Sequence, residues 1–194
     1  MLSGACIVVT GPPGAGKTTI APLVARRADP SVCLESDWFW TTIANGFVPP
    51  YRTEAHEQNA TVVRAFAAAA SALAAGGYTV VLEGIVGPWF LHLVVEECAR
   101  HEVPLSYVVL RPSRAVALTR ATSRVDEKRV PGHPPLTDGE VIGRMWDVFA
   151  DLGDLEPLVI DNSALSASEA ADRVWDRFVA GGLRLGEDDR QGGE

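Results

Sequence analysis

The sequence predicts an α/β fold in which a five-stranded parallel sheet carries helices on both faces. Five short apolar runs rich in Val, Ile and Leu alternate with longer stretches of helical character. Runs without polar alternation belong to strands covered on both sides. The intervening segments are long enough to hold helices, so the strands are joined by right-handed crossovers rather than hairpins. A Gly-rich loop, Gly11-Pro12-Pro13-Gly14-Ala15-Gly16-Lys17-Thr18, lies between the first apolar run and the first helical one. In such sheets ligands collect at the carboxyl ends of the strands.

The elements follow in order. Ala5–Thr10 is the first strand. Lys17–Arg27 reads as a helix with Ile20, Leu23 and Val24 on one face, and Pro22 falls in its early turns, where a missing N–H costs little. Ser31–Glu35 is the second strand, followed by Ser36-Asp37 and the aromatic run Trp38-Phe39-Trp40. Gly46, Pro49 and Pro50 make Asn45–Thr53 a loop. Glu54–Ala75 is a long Ala-rich helix stopped by Gly76-Gly77. Tyr78–Glu83 is the third strand, Gly84 to Gly87 a turn, and Pro88 opens a helix to about His101. Leu105–Leu110 is the fourth strand and Ser113–Val125 the next helix.

Residues 126–136 are charged, then Pro-rich, and lack periodicity, as a lid would. Thr137-x-x-Glu140 is a capping box that opens a helix to about Leu152, and Pro157–Ile160 is the fifth strand. Ser166-x-x-Glu169, a second capping box, starts the last helix, which ends at Gly181-Gly182. One domain is therefore expected over 1–182, with 183–194 a polar, disordered tail.

Composition narrows the function. A chain of 194 residues suits one α/β domain with a full core. The net charge of −8 argues against a nucleic-acid backbone as partner. No apolar run reaches the ~18 residues of a membrane span, and Met1-Leu2-Ser3-Gly4 leads into the first strand without a signal sequence. Cys6, Cys33 and Cys98 have no metal-binding or pairing spacing and are expected as buried thiols in a reducing cytoplasm. His56, His92, His101 and His133 have no metal-ligand spacing either and are read as surface or packing residues.

The glycine loop carries the strongest chemical signal. Its backbone N–H groups suit a phosphate, and the helix dipole behind it adds to the attraction. Lys17 would reach the β- and γ-phosphates and the Thr18 hydroxyl would ligate Mg²⁺. Gly11, Gly14, Ala15, Gly16, Lys17, Thr18 and Thr19 form the expected nucleotide-binding run. Asp37, after the second strand, is placed to accept a proton from an attacking hydroxyl, or alternatively to cap the helix after it. Glu83 closes an apolar strand in the manner of a Walker B acid, serving Mg²⁺ or the acceptor, although Asp is the usual residue. Gly84 would let a substrate approach the backbone. Arg120 and Arg124, one helical turn apart, precede the lid. Phosphoryl transfer needs such cations, together with a closure that excludes water.

Taken together, the phosphate loop, the acid after strand two, the R-x-x-x-R pair before a lid and Arg144 on the helix after it resemble the nucleoside monophosphate kinase-like P-loop kinases. The small-molecule branch, with chloramphenicol phosphotransferase-like, shikimate kinase-like and gluconate kinase-like proteins, is the most similar, and zeta-toxin kinases are more distant. The resemblance covers Ala5 to about Ala180, and the phosphate loop is its most specific part. It implies a three-layer fold with strand order 2-3-1-4-5, with ATP and Mg²⁺ as cofactors. It further implies Arg120 against the adenine, Arg124 on the ATP phosphates, Arg144 near the transferred phosphate, Asp37 as base, and Asp161-Asn162-Ser163 beside the adenine.

One departure concerns the acceptor. The Arg-containing acceptor clamp of shikimate and nucleoside monophosphate kinases is not reproduced after strand two. Trp38, Phe39 and Trp40, then Phe47 and Tyr51, stand there instead, either as core or as walls of a roomy pocket. With Glu83 and Gly84 beside Trp38 and Trp40, the expected acceptor is a bulky, largely neutral hydroxylated molecule such as an antibiotic, nucleoside or sugar derivative. A nucleotide-dependent switch and a toxin-type sugar-nucleotide kinase are the alternative readings.

Overall fold

The computed structural model describes residues 4–123 and 136–185. Its sheet has five parallel strands in the order β2-β3-β1-β4-β5. These are β1 (Ala5–Thr10), β2 (Ser31–Glu35), β3 (Thr79–Glu83), β4 (Leu105–Leu110) and β5 (Val159–Ile160). The helices are α1 (Lys17–Ala25), α2 (Asp37–Thr41), α3 (His56–Ala75), α4 (Pro88–Arg100), α5 (Arg114–Thr122), α6 (Gly139–Asp147) and α7 (Ala167–Val179). Helix α1 packs with α7 and α3 with α4, and the covered strands β1, β3 and β4 are buried almost throughout. None of the described helices is long and apolar enough to cross a membrane.

Most element ends fall where local chemistry puts them. Gly77 takes φ 97° after α3, Pro88 occupies the first turn of α4, and Ser166 and Glu169 form the reciprocal capping box of α7. Several ends differ from expectation: α1 stops at Ala25 rather than Arg27, and α6 at Asp147 rather than about Leu152. A 3₁₀ turn, Thr53–Ala55, precedes α3, so the α-helix proper starts at His56. The N-cap of α6 is Asp138, whose Oδ1 accepts from the N–H groups of Glu140 and Val141, and this carboxylate displaces the Thr137 box. Pro157, which cannot donate to a ladder, lies in a second 3₁₀ segment, Gly153–Leu158, and β5 shrinks to two residues.

The short β5 pairs only with Val109 and Leu110, leaving the first half of β4 without a neighbour on that side. Leu183–Leu185 occupies that edge. The Tyr107 N–H donates to the Leu183 carbonyl at 2.9 Å, Arg184 bridges Ser106 in antiparallel sense, and Leu183 and Leu185 are buried. The polar tail expected from 183 therefore does not begin there, and its remainder, 186–194, lies outside the described residues. The cysteines also divide. Cys6 and Cys98 are buried against each other, whereas Cys33 is exposed because β2 is an edge strand.

The turn after β3 is clamped on both sides. The Val86 N–H donates to Thr10 Oγ1 at 2.9 Å, and the Tyr107 hydroxyl donates to the Val86 carbonyl at 2.7 Å. Burial pushes the Tyr107 phenol above its ordinary range, so it remains a donor at any working pH. Tyr107→Phe would leave the Val86 carbonyl without that donor. The expected loss is about 1–3 kcal/mol of unfolding free energy, read from urea denaturation curves.

Candidate functional site

The loop between β1 and α1 is built on positive φ values, 142° at Gly11, 81° at Gly14 and 88° at Gly16. A Cβ on Gly11 would lie 2.1 Å from the Leu110 carbonyl oxygen, and one on Gly14 would lie 2.1 Å from that of Ala117. Those two glycines therefore seat the loop directly on the end of β4 and on α5. The N–H groups of Gly14 and Gly16 have no acceptor among the described residues, the condition of a phosphate cradle. Lys17 is only 9% exposed and folds back, its Nζ donating to the carbonyls of Gly11 (2.8 Å) and Pro12 (3.0 Å). Thr19 is exposed on the first turn of α1, with its N–H bonded to the Gly16 carbonyl.

A cavity of about 560 Å³ opens beside this loop. Pro13, Lys17, Thr18, Asp37, Glu83 and Gly84 line its polar end. The parallel register explains the convergence, since Val9 pairs with Glu83 and Glu83 with Glu35, so the ends of β1, β2 and β3 are level. Ser36 occupies the cap position of α2 and Asp37 its first turn. Gly84 is needed here, because a Cβ on it would lie 1.9 Å from Ser36 Oγ. Glu83 is 3% exposed, an acid at the bottom of the cavity rather than on its rim.

The opposite wall is apolar. Trp40 packs on Phe66 of α3 at 6.0 Å between ring centroids, and its indole N–H donates to Asn59 Oδ1 at 3.2 Å. Asn59 in turn donates to the Pro50 carbonyl at 2.7 Å, while Gln58 brackets both the N–H and the carbonyl of Val48. These bonds hold the 47–51 loop over α3 and bring Phe47 and Tyr51 to the cavity. Trp89, edge-on to Phe149 at 5.6 Å, closes the wall with Phe90, Met145 and Val148. Composition did not single out Asn59, Trp89 or Phe149. The available signals were an adjacent pair of amides at the start of an Ala-rich helix and an aromatic pair directly after Pro88.

Several expected residues lie elsewhere. Trp38 is 67% exposed and points away from the cavity, its indole N–H on Glu35 Oε2. Successive helical residues are 100° apart, so Phe39 and Trp40 can turn inward only if Trp38 turns out. Arg144 is ion-paired with Glu140 at 2.8 Å and lines a neighbouring groove with Tyr51, Arg52 and Glu54. Arg120 and Asn162 meet on the far side of the phosphate loop. The guanidinium donates to the carbonyls of Asn162 (3.3 Å) and Ser163 (3.4 Å), and Asn162 Nδ2 donates to the Ala15 carbonyl at 2.9 Å. Arg124, the lid residues 126–135 and His133 lie outside the described residues. Among the described residues no group of three or more His, Cys, Asp or Glu side chains forms a metal cage.

Cys33 reports on the electrostatics of the strand ends. Partial burial first, then the carboxylates of Glu83 and Glu35, push its thiol up to about 11. The thiolate is the reactive form and is scarce below that pH. Iodoacetamide should therefore alkylate Cys33 at pH 8 about a hundredfold more slowly than an unperturbed cysteine, with the rate climbing toward pH 11. In Glu83→Gln the profile should move to lower pH, as followed by mass spectrometry of the Cys33 peptide.

Three solved structures share this architecture. The tunicamycin resistance protein of Deinococcus radiodurans superposes with a TM-score of 0.64 at 14% identity, over 90% of this chain and 95% of that one. Shikimate kinase from Acinetobacter baumannii, in complex with shikimate, gives 0.62 at 19% identity over 93% and 96%. Mycobacterium tuberculosis APS kinase CysC, in complex with AMPPNP and APS, gives 0.62 at 17% over 92% and 99%. No curated protein matches the chain by sequence. A family model described as an AAA domain matches residues 6–152, and the chain belongs to that family, with the fold of the small-molecule P-loop kinases.

Proposed function

We propose that the protein is an ATP-dependent phosphotransferase that moves the γ-phosphoryl group to a hydroxyl of a bulky, largely neutral small molecule. One observation carries this reading. The phosphate-loop residues Lys17 and Thr18 and the carboxylates Asp37 and Glu83 share the wall of one cavity whose opposite wall is aromatic. A nucleotide held by the loop would direct its terminal phosphate into the space where an acceptor would stack.

Roles follow from chemistry. The free N–H groups of Gly14 and Gly16 and the Lys17 ammonium would hold the phosphates, the lysine leaving the Gly11 and Pro12 carbonyls to do so. Asp37 would take the acceptor's proton as its oxygen attacks phosphorus and ADP departs. The Thr18 hydroxyl and the Glu83 carboxylate are hard oxygens at the phosphate end, and they fit Mg²⁺, which is commonly held by one or two protein oxygens together with phosphate. When bound there, the ion would neutralise charge on the β- and γ-oxygens. Arg120 would meet the adenine and Arg124 the phosphates. Arg144 would have to leave Glu140 to reach the transferred group, and an exposed pair of that kind resists little.

The acceptor class rests on the lining. Trp40, Phe47, Tyr51, Trp89 and Phe90 offer stacking faces, and among the described lining residues Lys17 is the sole cation. Among the described lining residues, a small polyanionic acceptor would meet no counter-charge beyond the lysine that serves ATP.

The test screens hydroxylated antibiotics, nucleosides and sugar derivatives by thermal shift, with and without AMPPNP and Mg²⁺, and then assays hits for ADP release. A true acceptor raises the melting temperature by mass action, and raises it further with nucleotide bound. Asp37→Asn should keep ATP affinity within about threefold and lower transfer by about 10²–10⁴. Undiminished transfer in that variant would remove Asp37 as the base. ATP turnover that is indifferent to every acceptor would favour a switch instead.

A further inference from the structure

Among the described residues the Asn162 side chain has one hydrogen bond, and its position is informative. The residue is 2% exposed, at the carboxyl end of β5, and its Nδ2 donates across the fold to the Ala15 carbonyl at 2.9 Å. Its Oδ1 is buried with no partner. A buried, unpaired acceptor opposes folding, so an asparagine here is a poor choice for stability alone. What it does provide is a fixed direction for one peptide group.

Within a planar trans peptide the carbonyl and the N–H point in opposite directions. Holding the Ala15 oxygen toward β5 therefore turns the Gly16 N–H the other way, and that N–H has no acceptor among the described residues. Gly16 sits at φ 88°, ψ 14°, a conformation with neighbouring alternatives for a residue lacking Cβ. Without the Asn162 bond this peptide can rotate, taking the N–H out of the phosphate cradle. The brace is itself anchored. Asp161 Oδ1 accepts from the Ser163 N–H and hydroxyl, the Ser163 hydroxyl accepts from the Ser113 N–H, and Arg120 holds the carbonyls of Asn162 and Ser163.

We propose that Asn162 is a positioning residue for the phosphate loop: its amide fixes the Ala15–Gly16 peptide so that the Gly16 N–H is presented to the nucleotide's phosphates. The adenine side of the site is then spared by its replacement, because Arg120 is held by backbone carbonyls that any residue at 162 supplies. This rests on the reading of the loop as an ATP site.

The test uses the full chain with Mg²⁺ and displacement of fluorescent mant-ATP by three probes, namely ATP, inorganic tripolyphosphate and adenosine. Asn162→Ala removes the donor, and Asn162→Asp replaces it at nearly equal volume with a carboxylate that cannot donate. Both variants should weaken ATP and tripolyphosphate about tenfold, the scale of one hydrogen bond to an anion, and leave adenosine within about twofold. The melting temperature of Asn162→Ala should stay within a few degrees of the parent. Equal weakening of all three probes, or a collapse in melting temperature with no selectivity for phosphate, would assign Asn162 a structural role and overturn the proposal. Unchanged ATP affinity in Asn162→Ala would overturn it as well. Failure of the parent protein to bind mant-ATP would instead remove the ATP reading on which it stands.

Discussion

The site depends on the parallel register of β1 between β3 and β4. Parallel strands finish at one edge, so pairing Val9 with Glu83 and Thr10 with Val109 delivers the phosphate loop and the Glu83 carboxylate to the same level. Pairing Glu35 with Glu83 then brings Asp37, two residues on, to that level too. A slip of one residue in β3 would turn Glu83 to the other face of the sheet. The Thr10 and Tyr107 bonds to Val86 guard against disorder in the turn that follows, and Gly84 allows that turn to lie against Ser36.

The aromatic side of the cavity is assembled differently. Its walls come from α2, the 47–51 loop, the start of α4 and the end of α6, none of which is a sheet neighbour of another. Amide side chains perform the joining. Gln58 and Asn59, both on the first turn of α3, satisfy partly buried polar groups of the loop and the buried indole N–H of Trp40. Helix α6 is tied to α5 by Arg114 and Asp147, and Gly143 leaves space for that guanidinium. Arg111, bidentate on Glu156 and bonded to the carbonyls of Phe149 and Ala150, fixes the chain just after α6. Their partners make these arginines connectors between elements rather than a solvated face.

Charge is distributed in keeping with these two halves. In a chain of net charge −8, Arg27, Arg111 and Arg114 are held by the carboxylates of Asp172, Glu156 and Asp147. Lys17 is the one cation among the described lining residues of the cavity, and it shares the polar end with Asp37 and Glu83. Opposed charges therefore lie at the phosphate-loop end and aromatic surfaces at the other end of one space.

The sequence by itself determined the order of strands and helices, the phosphate loop and the acids at the strand ends. Those features are written in local chemistry: β-branched runs, glycines needing positive φ, a proline at a helix start and a capping box at Ser166. It misjudged Trp38, Cys33 and Leu183 because exposure depends on which strand is an edge and on which side of a short helix faces a neighbour. Only the tertiary structure decided that Trp40 rather than Trp38 lines the cavity, that Trp89 and Phe149 join it, and that the Asn162 amide reaches the Ala15 carbonyl. Contacts of that kind join residues up to 147 positions apart, and their geometry is set by packing that no local pattern encodes.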